Sequence, residues 1–162
     1  MALSSYVAYS SVRAALGVSD EELPDSVLSE SIYEDNLLLE LDEVGATAAS
    51  DLLSFIASTP TGAAELKYLR TGRLFATYAV ANQLLSSLPL FSPKEITDGK
   101  ASVVRYADGP YKKTIEEVRA RYEKYAALIG EAYSDLIAGP TPVTTVPTFL
   151  VLAGMVDPVT GE

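Results

Sequence analysis

Between Tyr111 and Leu136 the apolar and aromatic residues recur in one unbroken rhythm. They fall at Tyr111, Ile115, Val118, Tyr122, Tyr125, Ile129, Ala132 and Leu136, in steps of 4, 3, 4, 3, 4, 3 and 4. Alternating steps of three and four keep a stripe on one side of an α-helix, whereas a strand would send it to both faces of a sheet. The spacing predicts a helix over 110–138 with a heptad seam near four repeats long. The positions between seam residues are rich in Lys, Arg and Glu, and Glu117 and Arg121 are spaced as a favourable i,i+4 pair. Three seam residues are tyrosines, whose hydroxyls need a partner or water when buried. The seam fits a helix lying across the bundle of its own subunit, or one whose wide face also meets a neighbouring copy.

A long seam requires a long apolar partner, and the chain holds one. Thr59-Pro60-Thr61-Gly62 reads as a turn that opens a helix over about 63–88, with apolar residues spread around most of its circumference, from Leu66 and Leu69 to Leu85 and Leu88. A helix that is apolar on nearly all sides belongs in the middle of a bundle. Arg70 and Arg73 sit on it with stems packed and heads in water. Earlier segments are shorter. Tyr9 to Leu16 reads as a helix capped by Ser10 or Ser11 and ended by Gly17. Ser19-Asp20-Glu21-Glu22 has the spacing of a capping box, with a second short helix expected over 24–33. Residues 34–45 fit strand period through Leu37, Leu39 and Leu41, and helical spacing through Leu37, Leu41, Val44 and Ala48; the reading here leans to helix. Thr47 to Ser58 is helical, with an apolar face made by Leu52, Leu53, Phe55 and Ile56.

Pro89 and Pro93 stop the apolar helix and open a connection over 89–110. Asp98-Gly99 is a turn signal within it, and Ser102 to Tyr106 reads as a short extended piece. Unstructured loops beyond about 12–15 residues are uncommon in compact domains and are often functional. Gly139-Pro140 closes the last helix. The remainder is apolar and β-branched, punctuated by Pro142, Pro147 and Pro158 and almost uncharged before Asp157. Such a segment either docks on another surface as an arm or folds back on its own domain. The expected fold is therefore mainly α: a small helical bundle (residues 1–139) around a long central helix pair, with a long loop and an extended C-terminal arm (140–162), and with short β-strands possible in loop or arm. At 162 residues a single core can bury roughly 68–70% of the unfolded surface.

The chemistry available is narrow. There is no His, no Cys and no Trp. That removes disulfides, thiolate metal sites, Cys nucleophiles and the Ser-His-Asp arrangement. No phosphate-binding glycine loop, nucleophile elbow or EF-hand spacing is present. The acidic runs Asp20-Glu21-Glu22 and Glu116-Glu117 read as caps and solvated faces. No catalytic constellation, cofactor site or metal site is expected. No apolar run approaches the roughly 18 residues of a membrane helix, and the N-terminus lacks the basic and apolar regions of a signal peptide. A cytoplasmic place of assembly, without a membrane, is the expectation.

Charge is unevenly placed. Residues 1–60 carry 11 acidic side chains and one basic one, Arg13, whereas residues 61–162 carry 11 of each. The whole net charge of −10 thus lies in the first third, while residues 62–124 reach +4. An overall acidic chain is a poor free nucleic-acid binder. An acidic end and a basic middle can pair copies of one chain, although an acidic surface is also simply a soluble one.

Three stretches together resemble one family. Tyr9-x-x-Val12-Arg13-x-x-Leu16-Gly17-Val18-x-x-Glu21-Glu22-Leu23 resembles the opening of the head–tail adaptor (connector) proteins of tailed bacteriophages. Ile96-Thr97-Asp98-Gly99-Lys100 through Arg105-Tyr106, followed by a charged helix with Arg119-x-Arg121-Tyr122, resembles their middle, and Asp157-Pro158-Val159-Thr160-Gly161 resembles their end. The resemblance covers most of the chain through short motifs. It implies a structural virion protein with a helical bundle and an extended arm. About twelve copies would form a ring between the portal protein and a downstream tail or neck protein, with DNA passing through without sequence-specific binding. Candidate interface residues are Tyr111, Arg119, Arg121, Tyr122 and Tyr125 on the last helix and Val146, Phe149, Leu150 and Leu152 in the arm. Two other classes stay open: a free cytoplasmic helical module that regulates a partner through helix-in-groove binding, and an enzyme restricted to carboxylates, tyrosines and lysines.

The arm's prolines deny it most of a backbone ladder, while burying each large apolar side chain is worth roughly 1.5–3 kcal/mol. Truncation after Gly139 is therefore expected to leave the helical circular-dichroism signal and Tm nearly unchanged while head-to-tail joining fails. A truncated chain that unfolds or precipitates assigns the arm to its own subunit's core.

Overall fold

The structure, a computed structural model, describes residues 2–58, 60–86, 96–98, 101–103 and 108–139, with 96–98, 101–103 and 108–111 given by their backbone. It is mainly helical. A short 3-10 turn, Leu3–Ser5, leads into α1 (Tyr9–Leu16), α2 (Asp25–Leu28), α3 (Ser31–Val44), α4 (Ala48–Ala57) and α5 (Ala63–Leu84). Then come strands β1 (Ile96–Asp98) and β2 (Ala101–Val103) and the final helix α6 (Asp108–Ala138).

The first helix spans the expected Tyr9–Leu16, but neither serine caps it. Ala8 is the N-cap, in extended conformation, and Ser10 and Ser11 lie inside the helix. Gly17 ends it with φ of 70°, the left-handed conformation that glycine adopts without a Cβ penalty. The capping box forms: Ser19 N–H donates to Glu22 Oε2 at 2.8 Å, and Glu22 N–H donates to Ser19 Oγ at 3.3 Å. It closes a turn and starts no helix, because Pro24 follows two residues later and disfavours helical geometry at Leu23. The single helix expected over 24–33 is two helices. Ser29 Oγ donates back to the Ser26 carbonyl at 3.0 Å and Glu30 is extended, so the chain breaks after Leu28 and restarts at Ser31. The break puts Leu28 fully in the core.

Residues 34–45 are helical. Leu37 and Leu41 are fully buried, while Leu39, which the strand reading would place on their face, stands 64% exposed. Gly45 then lets the chain pass a ring of α6, since a Cβ there would lie 2.2 Å from Tyr133 Cε1. Beside it a polar clasp joins α4 to α6. Thr47 Oγ1 donates to Asp51 Oδ2 at 2.8 Å and accepts from the Tyr133 hydroxyl at 2.8 Å.

The centre is the antiparallel pair α5–α6. Tyr68 lies near Tyr133 (ring centroids 5.3 Å apart) at one end, and Tyr78 pairs with Tyr125 (5.4 Å) toward the other. Tyr68, Phe75, Ala76, Ala79, Val80, Ala81 and Leu84 of α5 are buried, as are Val118, Ile129, Ala132 and Tyr133 of α6. Small residues on α5 admit close neighbours: at Gly72 a Cβ would meet Leu52 Cδ1 at 2.6 Å. Tyr68 is fully buried and donates its hydroxyl to the Ala48 carbonyl at 2.8 Å, satisfying the polar end of a core aromatic. Burial drives its ionisation far above the ordinary tyrosine range.

α5 ends at Leu84, short of the expected 88, and α6 starts two residues before the expected 110. Part of the connection is paired: β1 and β2 are antiparallel with Ile96 opposite Val103 and Asp98 opposite Ala101. The rest of residues 89–107 and the arm at 140–162 lie outside the described residues.

Leu84 is fully buried where α5 meets its neighbours. Leu84→Ala is expected to lower stability by about 2–5 kcal/mol, read by chemical denaturation. An unchanged midpoint would show that α5 is not the core.

Candidate interaction site

The α6 seam is spent largely on its own subunit. Val118, Ile129 and Ala132 are buried, and Ile115, Tyr122, Tyr125 and Leu136 pack partly buried against the core. Tyr122 stacks on Phe75 with centroids 6.1 Å apart and planes 25° apart, and Tyr125 stacks on Tyr78. Arg121 bridges the pair: Nη1 donates to the Tyr78 hydroxyl at 2.9 Å and Nη2 to Glu117 at 2.8 Å, with the guanidinium 5.7 Å from the Tyr78 ring centroid. These bonds push the already high Arg121 ionisation further up. Arg119 is exposed on the same helix. Tyr111 lies in the first turn of α6, known there by its backbone, and Val146, Phe149, Leu150 and Leu152 lie outside the described residues. The structure thus brings Arg121, Tyr122 and Tyr125 together against α5, and Arg119 apart from them.

A cleft of about 420 Å³ opens between α3 and α6, floored by Phe75, Tyr122 and Ala126 and edged by Glu40 and Glu43. Glu40 is half-buried there. Desolvation raises its pKa, the Glu43 charge raises it further, and the neighbouring Tyr122 hydroxyl and Gln83 amide offset part of that. Burial, then the Glu40 carboxylate, push the Tyr122 ionisation up in turn. Glu40 Oε2 and Gln83 Nε2 are buried without a full hydrogen bond. The sequence signal for this site was an acid inside an otherwise leucine run, Leu37-Leu38-Leu39-Glu40-Leu41.

Arg13, the one cation among the first 60 residues, is held by Asp25 and also donates from Nε to the Leu23 carbonyl at 2.7 Å. Lys67 pairs with Asp135 at 2.6 Å. Sequence reasoning did not anticipate the outer face of α3, where Ile32 and Leu39 stand exposed, or Leu74 of α5, which is 41% exposed. Helical spacing was the available signal for α3, since turning Leu37 and Leu41 inward sends Leu39 out. Among the described residues no group of three or more acidic side chains is placed to hold a metal ion, and no helix is long and apolar enough to cross a membrane.

Comparison with protein-family models, with curated proteins and with solved structures returns no match.

The raised Glu40 pKa carries a sign. The folded state favours the protonated carboxyl, so its stabilising effect is full below the unfolded pKa and is lost as pH rises through the folded value. Glu40→Gln is expected to raise Tm at pH 7 and to match the wild type at pH 3. A variant that melts lower than the wild type at pH 7 would show that the ionised carboxylate is stabilising.

Proposed function

We propose that this protein is a head–tail adaptor of tailed bacteriophages: a structural virion protein, assembled in the host cytoplasm, whose copies form a ring below the portal. The ring joins the capsid to a downstream tail or neck protein and leaves a channel for DNA. About twelve copies close it, as the resemblance implies. One observation carries the reading: the described parts of the first two resembling motifs fall, in order, on elements of a helical bundle, while Gly99, Lys100, Arg105, Tyr106 and residues 157–161 lie outside the described residues. Tyr9 to Leu23 covers α1 and its left-handed glycine cap, Ile96 to Asp98 is a strand of the paired connection, and Arg119 to Tyr122 is the middle of α6. Several polar side chains fit a scaffold role: Ser19 and Glu22 close a turn, Thr47, Asp51 and Tyr133 form a clasp, and Lys67 pairs with Asp135. Acidic side chains of the first 60 residues facing a channel would repel phosphate and let DNA slide without sticking. The arm after Gly139 is the element that reaches a neighbouring virion protein.

A second reading draws on the cleft between α3 and α6, whose aromatic floor suits a partner helix in a free regulatory module.

The adaptor reading predicts that the protein is a stoichiometric component of purified virions and that capsids made without it fail to join tails. Electron microscopy of the assembled protein should show closed rings, whose formation slows at high salt without vanishing, since salt screens surface charge pairs and leaves apolar contacts. Infectious particles that lack the protein altogether would end the adaptor reading in favour of the regulatory one.

A further inference from the structure

The outer face of α3 carries a short repeat. Ile32 is followed one turn later by Asp35, and seven residues on Leu39 is followed by Asp42. All four are exposed, Ile32 by 60% and Leu39 by 64%. A seven-residue step is two helical turns, about 10 Å, so the pattern is a second seam, apolar and acidic, turned away from the subunit. A single exposed apolar side chain means nothing, but Ile32 and Leu39 in register with two carboxylates form a surface.

The outer face of α5 carries the complement. Arg70 and Leu74 are one turn apart, with Arg73 beside them, and all three are exposed. Neither arginine makes an ion pair among the described residues, and neither do Asp35 and Asp42. Ile32, Leu39 and Leu74 are three of the four exposed large apolar side chains among the described residues. One chain cannot bring the two faces together. α3 approaches α5 through Asn36 and Gln83 and turns Leu37 and Leu41 to the core, while α5 meets its neighbours through Gly72, Phe75 and Ala76.

We infer that the Ile32/Asp35/Leu39/Asp42 face of α3 docks on the Arg70/Arg73/Leu74 face of α5 in a second copy of this chain. Guanidinium forks match carboxylates in geometry as well as sign, and the apolar side chains fill the space between the charge pairs. The two faces differ, so the contact is heterologous: each bound copy still offers one free face, and the array closes as a ring or extends as a filament. The inference deepens the self-assembly in the adaptor reading but does not need the virion role. Filaments built through these faces would keep it and remove the ring, while rings indifferent to these residues would keep the ring and remove it.

The experiment uses charge-reversed full-length chains and sedimentation velocity, with circular dichroism confirming the fold of each. The wild type is expected to associate beyond the monomer. Asp35→Lys/Asp42→Lys and Arg70→Glu/Arg73→Glu are each expected to raise the half-assembly concentration at least about tenfold, because like charges then face each other. An equimolar mixture of the two variants should assemble again, since each offers the face the other needs. Asp20→Lys/Glu21→Lys, the same change in net charge off the face, should behave as the wild type. A monomeric wild type, reversed variants that assemble normally, a mixture that stays apart, or a control that fails equally would each overturn the inference.

Discussion

The antiparallel contact between α5 and α6 is the interaction on which the rest depends. It is built from aromatic rings held at two levels, Phe75 on Tyr122 and Tyr78 on Tyr125, with Tyr68 and Tyr133 closing the far end. Rings of this size bury 150–250 Å² each, more than any other side chains available to a chain without tryptophan. Their hydroxyls need partners, and the partners organise what surrounds the pair. Tyr68 reaches the Ala48 carbonyl and so fixes the start of α4, while Tyr133 reaches Thr47 and fixes the corner between α3 and α4. Tyr78 receives Arg121 and ties α5 to α6 at the surface.

The shorter helices fill what the pair leaves open. α1, α3 and α4 pack on α5 by one or two large side chains each, Val12 and Leu16, Leu37 and Leu41, and Leu52. Short helices of this kind gain little from propensity and are held by tertiary packing. Their outward faces are therefore free to carry charge: Asp35, Asp42 and Glu43 of α3 are exposed, as are Asp20, Glu21, Asp25 and Glu30 in the turns and short helix before it. The distribution follows from cost: cations with long stems can lie along the exposed flank of an apolar helix such as α5, whereas short acidic side chains suit caps, turns and fully solvated faces.

Most of the architecture could be read from residue spacing. The heptad rhythm from Tyr111 to Leu136 located α6 and its inner face, and the apolar run after Gly62 located its partner. Gly17 marked a helix end because one conformation there suits glycine alone. Where local signals competed, the sequence misled. A capping box at Ser19 could not start a helix against Pro24, and the apparent helix over 24–33 broke so that Leu28 could turn inward. The alternation Leu37, Leu39, Leu41 allowed strand or helix, and only burial of Leu37 and Leu41 on one face separated them.

By itself the sequence determined the helical class, the long central pair, the absence of thiol and imidazole chemistry, and the separation of acidic from basic segments, because all four are set by residue identity and period along one chain. The tertiary structure decided which residues are paired and which are free. Tyr122 and Tyr125 became partly internal once α5 lay against them, Arg121 was held at the surface by the Tyr78 hydroxyl, and Glu40 became a half-buried, desolvated acid beside α6. Ile32, Leu39, Arg70 and Arg73 became surface because the faces beside them met the core first. Exposure is a property of how elements pack across the fold, and no spacing within a single element specifies it.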